Sequence, residues 1–238
     1  MSNTYRTSSF SKVNSTDFDA GLRSYMQRIY SLMSLALFIT AAVAFFASQS
    51  AELMKFIHFT GFRWVVMFAP LVFVFIFASK INSLSAAAAK NCLWAFSALM
   101  GLSLSYILLV YTGVSIVRVF LITACMFGST SLYGYVTKKD LTSFGSFLMM
   151  GLFGLIIASI VNIFMQSNAL HFAISILGVI IFTGLAAYDT QKAKNMYYQV
   201  ASSDAASIQK TAIMCALSLY MDFINLFIML LRLIGERR

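Results

Sequence analysis

The chain has 238 residues, 60% of them apolar and only 11% charged, with a net charge of +9 and a single proline, Pro70. A soluble domain is about 25% charged, so composition excludes one and points to a membrane. The basic residues are scattered among loops rather than gathered in a patch, which excludes a nucleic-acid surface.

The first 28 residues, MSNTYRTSSFSKVNSTDFDAGLRSYMQR, are polar and lack the short apolar core and small-residue cleavage site of a signal peptide. They read as a solvent-side tail that ends in a short amphipathic helix on the membrane surface. Residues 29–238 form one transmembrane domain. Seven apolar spans separate in order: Ile29–Ala47, Phe62–Ser79, Cys92–Val110, Val114–Tyr135, Phe144–Phe164, Leu170–Tyr188 and Ala212–Ile234. About 20 apolar helical residues cross a ~30 Å hydrocarbon core, and the connections leave no room for a second domain. If all seven cross, one side holds eleven Lys and Arg and the other six. Excess Lys and Arg marks the cytoplasmic side, so the N-terminus is expected inside. Seven crossings would leave the C-terminus outside. A last segment that dips in and returns would bring it back, and seven crossings are favoured.

Small residues recur at four-residue spacing in the third span (Ser97, Gly101, Ser105), the fourth (Ala124, Gly128) and the fifth (Gly151, Gly154, Ala158). Such faces let helix backbones approach closely in lipid, and ordinary close packing is also expected for the GSTSLYGY stretch from Gly128. Asn162 extends the fifth-span stripe, either as an interhelical hydrogen bond or as a lining position. Cys92, Cys125 and Cys215 are odd in number, without metal spacing, and read as reduced packing residues. His58 and His171 lie near span ends, and so few His and Cys make a zinc site unexpected.

The last span, TAIMCALSLYMDFINLFIMLLRLI, carries Asp222 near its middle. Nine residues separate it from Arg232, roughly 14 Å at helical rise. A carboxylate at that depth costs at least ~2.5 kcal/mol. Thr211, Cys215, Ser218, Asp222, Asn225, Met229 and Arg232 share one helix face, and polar groups at membrane depth face protein or water rather than lipid. That face is therefore expected to line an interior. A second carboxylate, Asp189, falls where the sixth span stops, with Lys192 and Lys194 following. Alone, it reads as an interfacial Asp paired with Lys192 at i+3. Beside Asp222 it reads differently, because spans six and seven are antiparallel neighbours and these two acidic residues can reach the bundle interior. Their depths differ by one to two turns, which tilt or extension of the sixth helix would close.

Tyr188-Asp189-Thr190-Gln191-Lys192, within Phe182–Lys194, resembles the signature of the Bax-inhibitor-motif family, and Leu217–Leu231 resembles that family's last helix. Tyr133-Gly134 with Thr137-Lys138-Lys139-Asp140-Leu141 is similar to its fourth-to-fifth connection. Gly21-Leu22-Arg23-Ser24-Tyr25-Met26 is similar to the start of its bacterial members. The resemblance covers residues from about 18 to the end. It implies an all-α polytopic membrane protein of seven transmembrane helices with the last helix central, placed in a bacterial inner membrane. It further implies that Asp189 and Asp222 form a proton-sensitive dyad tied to calcium leak. In the family a base near the end of the second helix locks one aspartate. Lys80 is the nearest candidate here, although its setting, ASKINSLS, departs from an arginine-rich version.

Two carboxylates in a poorly solvated site cannot both ionise easily, so the pair titrates as a unit. Protonated, it would hold the last two helices together; deprotonated, it would repel itself and attract a cation. Calcium takes six to eight oxygens, and the pair with Tyr188, Ser218, Asn225 and water could supply some of them in passing, a transit site rather than a tight one. No cofactor is expected. The same two aspartates also describe an intramembrane aspartyl protease, but Tyr220-Met221-Asp222 lacks the Gly-x-Gly-Asp context of that chemistry, so no enzyme is expected. A third class is an interaction protein that modulates a membrane protease or a cell-death or stress factor through its loops.

Overall fold

The computed structural model describes residues 15–238 except position 82, and side chains except those of residues 15–18, 58, 59, 63, 67 and 78. Expectations that rest on residues 1–14 and on the His58 side chain lie outside the described residues. The chain forms α1 (Ser15–Gln49), α2 (Ala51–Phe59), α3 (Phe62–Lys80), α4 (Ala86–Leu104), α5 (Ile107–Val110), α6 (Gly113–Val136), α7 (Thr142–Met165), α8 (Asn168–Val200) and α9 (Ala205–Ile234). Helix starts follow local chemistry. The side chains of Ser50, Ser85, Thr112, Ser167 and Asp204 each accept a hydrogen bond from an amide of the first turn they precede, satisfying donors the helix cannot. The α7–α8 turn is two residues, Gln166 and Ser167, and Gln166 takes a left-handed conformation with φ 49°. Asn162 supports that turn by accepting from the Ser167 amide at 3.0 Å.

Six segments are long and apolar enough to cross a membrane: α1, α4 continued through α5, α6, α7, α8 and α9. In α3 the apolar stretch is shorter, Trp64–Phe77, and contains Pro70. The protein is thus an all-α polytopic membrane protein. Its core is α9, which packs most extensively on α8 and also touches α1, α6 and α4. Its buried residues lie on every face, so the interior is wider than the polar stripe alone foretells.

Two boundaries differ from the expectation of a surface tail and a short sixth span. α1 runs unbroken from Ser15, and Leu22, Tyr25, Met26 and Ile29 are buried in the core. These residues dock on the bundle rather than on the membrane surface, because their spacing puts all four on one helix face. α8 continues eleven residues beyond Asp189. Lys194, on that extension, donates from Nζ to the Tyr135 carbonyl at 3.0 Å.

The end of α9 settles how the last segment runs. Thr112 N donates to Glu236 O at 3.0 Å, Arg238 N to Val110 O at 2.9 Å, and Glu236 N to Ser115 Oγ at 2.9 Å. Arg118 pairs with Glu236 at 3.1 Å. α9 therefore passes through the whole bundle and finishes where α6 begins, rather than dipping in and returning.

Glycine packing is partly as expected. A Cβ on Gly101 would meet the Thr40 carbonyl at 2.7 Å, which is the expected close approach of α4 to α1. Nothing lies within 4 Å of such an atom at Gly128 or Gly154. Those positions are not helix contacts: Gly128 borders a cavity, and Gly154 lies on the exposed side of α7.

Candidate aspartate site between the last two helices

The sequence YDTQ is helical and each residue turns about 100° from the last, so the motif addresses several neighbours at once. Asp189 faces α9, where its Oδ2 accepts from Ser218 Oγ at 2.7 Å. Thr190 is fully buried against Ser131 of α6, hydroxyl to hydroxyl at 2.6 Å, and Ser131 in turn bonds Tyr30 of α1 at 2.6 Å. Gln191 closes the α6–α7 connection, accepting from Leu141 N at 2.8 Å and donating to Lys139 O at 2.7 Å. Tyr188 packs its ring on Gly145 of α7. One turn of α8 thereby ties together four other helices.

Asp222 lies on α9 at 6% exposure, one helical turn from Ser218, the residue that holds Asp189. α8 extends eleven residues past Asp189, which meets α9 at Ser218, one turn before Asp222. Asp222 Oδ2 is buried without a hydrogen-bond partner, and two ionised carboxylates have no hydrogen to share. A bond between the two carboxyls needs one of them to hold a proton. Such a proton also relieves the cost of an unpaired buried charge.

Lys192 lies three residues beyond Asp189 on α8. Its side chain is exposed, with Nζ 5.9 Å from the centroid of the Tyr188 ring, so the expected i+3 partner of Asp189 stands over the neighbouring tyrosine. Lys80 ends α3 exposed and stays outside the hydrogen bonds around the two aspartates. Asn225 is half-buried one turn beyond Asp222. Asn162 belongs elsewhere: it caps the α7–α8 turn at the far end of the bundle and lines nothing at this site. Among the described residues no His, Cys, Asp and Glu cluster has metal-holding geometry, and Cys92, Cys125 and Cys215 are free thiols. Cys215 packs between Tyr25 and Met196.

Ser131 and Tyr30, the polar partners of Thr190, were not singled out by sequence. Their signal is faint, since Ser and Thr are tolerated anywhere along a membrane helix by bonding the carbonyl four residues back, as Thr190 also does to Ala186 O at 2.7 Å. A second buried layer lies deeper. Thr40 Oγ1 bonds Tyr220 Oη at 2.7 Å and reaches Ser97 O at 2.9 Å, joining α1, α4 and α9.

Between α1 and α6 lies a cavity of about 1020 Å³ whose wall includes Tyr30, Ser131 and Phe223. It therefore ends against the Tyr30–Ser131–Thr190 bonds, whose α8 member is the neighbour of Asp189 in sequence.

Residues 22–238 match the family described as "Inhibitor of apoptosis-promoting Bax1". The chain is 47% identical over 221 residues to the inner membrane protein YbhL of Escherichia coli, covering 92% of this chain and 94% of the relative. It is 48% identical over 221 residues to protein RP147 of Rickettsia prowazekii, covering 93% of each. Protein YrjE of Lactococcus lactis is 36% identical over 227 residues, covering 90% of this chain and 92% of the relative.

Proposed function

The chain belongs to the Bax inhibitor-1 family, and from that premise we propose that it is a cation leak channel, for calcium above all, gated by the protonation of Asp189 and Asp222. The observation that carries the proposal is the convergence of the two aspartates on one face of α9: Asp189 is bonded to Ser218, one turn from Asp222, whose Oδ2 is buried without a donor. With one proton shared, the pair bridges α8 and α9 and the path is shut. Loss of that proton sets two negative charges against each other in a site of low polarity. Entry of a cation or separation of the two helices relieves the repulsion. Ser218, already bonded to Asp189, and the nearby Tyr188 and Asn225 offer further oxygens to an ion in transit, and the weakness of so small a set suits conduction better than storage.

Neither aspartate is given a catalytic role, because the context of Asp222 lacks the glycines that would let a peptide strand approach. A basic lock, if the chain has one, is better placed at Lys192 than at Lys80. The proposal also takes seven crossings, counting α3, with the N-terminus in the cytoplasm on the charge asymmetry of the loops. The membrane is the inner membrane of a bacterium, as the name of the Escherichia coli relative suggests. A fusion reporter after Arg28 and another within residues 200–206 should both report the cytoplasm; a split result would overturn the topology. The channel itself is tested with purified protein in liposomes that enclose a calcium indicator. Flux should be low at acid pH and rise between about pH 5 and 8 as the pair loses its proton. No pH-dependent flux from folded protein would end the channel proposal and favour a modulator of a membrane protease or stress factor.

A further inference from the structure

A second cavity, of about 580 Å³, lies at the far end of α8 and α9 from the turn that joins them. Three segments bring basic side chains to it: Arg232 from the last turn of α9, Arg237 from the C-terminal tail, and His171 from the first turn of α8. None of the residues lining it is acidic. The neighbouring carboxylate, Glu236, turns away to Arg118 at 3.1 Å. Arg237 is not loosely hung. The backbone on either side of it is tied to the start of α6 through Thr112 N to Glu236 O and Arg238 N to Val110 O, and its guanidinium stands 6.0 Å from the centroid of the Tyr111 ring. The rest of the wall combines apolar residues, Ile107, Ile163 and Ile174 among them, with Ser159 and Asn162.

Converging positive charges with no acidic side chain among them repel one another, and the repulsion is relieved by an anion. Two guanidiniums suit a tetrahedral oxyanion, which they can grip through paired N–H donors. The N-terminal end of α8 adds positive potential on the same side. We propose that this cavity binds a phosphate group, with Arg232 and Arg237 as the principal ligands and His171 as a third donor. The group could be a free phosphate ion or the headgroup of a phospholipid whose chain lies along the apolar residues of the wall, and the recognition chemistry is the same for both. This site is independent of the aspartate pair, ten residues away along α9.

The test uses the full-length protein in a phosphate-free, uncharged detergent, with thermal unfolding followed as inorganic phosphate or short-chain phosphatidylglycerol is added. Saturable stabilisation by inorganic phosphate alone would identify a free anion site; stabilisation by the lipid only would identify a headgroup site. Either supports the proposal if the half-saturating concentration rises roughly tenfold in Arg237→Gln and saturation is lost in Arg232→Gln/Arg237→Gln. Arg237 is exposed on the tail, so its single substitution leaves a folded protein even if the double variant fails. Arg118→Gln, which breaks only the adjacent ion pair, should bind as wild type does. The proposal is overturned if neither probe stabilises the wild type, if Arg237→Gln responds as the wild type does, or if Arg118→Gln loses as much as Arg237→Gln.

Discussion

α7 and α9 are both long, apolar helices able to cross a membrane, yet they live in opposite surroundings. Within its most apolar stretch α9 is 67% buried by protein and α7 only 11%. Phe147, Met150, Phe153 and Ile157 of α7 point outward, while Leu219, Tyr220 and Leu226 of α9 are wholly enclosed. Apolarity cannot separate the two, because lipid tails are as apolar as leucine. What separates them is polarity at depth. α9 carries Ser218 and Tyr220, each bonded to another helix, and the buried Asp222, whereas the hydroxyl of Ser159 in α7 merely bonds its own helix at Leu155 O, 2.7 Å away. In a membrane protein the few polar residues, not the many apolar ones, mark the centre.

If this contrast is right, substitutions at equivalent residue types should differ sharply in cost between the core and the lipid-facing side. The largest difference is expected for glycine. A side chain at Gly134 would run into the backbone carbonyl of Ala187 where α6 meets α8, so Gly134→Leu should destabilise by about 3 kcal/mol. Gly154→Leu, with nothing within 4 Å, should change stability by less than about 0.5 kcal/mol. Thermal unfolding in detergent compares them directly, and equal losses would break the contrast.

A middle-sized effect is expected for buried hydroxyls. Tyr220→Phe removes the Thr40 bond at 2.7 Å and should cost about 1 kcal/mol. Ser159→Ala in α7 should be close to neutral by the same measurement.

These pairs also show how far the chain could be read without coordinates. Asp222 and its polar stripe were legible because a carboxylate at membrane depth is too costly to be incidental, and Asp189 only beside Asp222, since alone it reads as an interfacial residue. Ser218 followed from helical spacing. The docking of Leu22, Tyr25 and Met26 was not legible, since a face of apolar residues among polar ones fits a lipid surface as well as a protein groove. The roles of Gly128 and Gly154 were misjudged for a related reason: small-residue spacing shows which positions share a face, not whether another helix lies against it. Asn162, placed on a stripe by spacing, caps the turn that follows α7 and also lines the second cavity.

The smallest effect is expected outside the membrane. Asp204 begins α9 by accepting from Ala206 N and Ser207 N. Hydrogen bonds from the Ser207 side chain and backbone hold its carboxyl below the ordinary carboxylate range. A depressed carboxyl stabilises the fold above its unfolded value, and that contribution fades as pH falls through its folded value. Asp204→Ala should therefore lower the melting temperature slightly near neutral pH and converge on the wild type in strong acid. A difference that grew with acidity would contradict this assignment.

The central claim is that Asp189 and Asp222 act as one titrating unit, and a double-substitution cycle in calcium-indicator liposomes tests it most directly. Asp189→Asn and Asp222→Asn should each flatten the pH dependence of flux, because either removes the partner with which the proton is shared. Combining them should add little, since the two residues share one function. Unaltered pH dependence in Asp189→Asn, or effects that simply add in the double variant, would contradict the paired gate and leave Asp222 as a solitary buried acid.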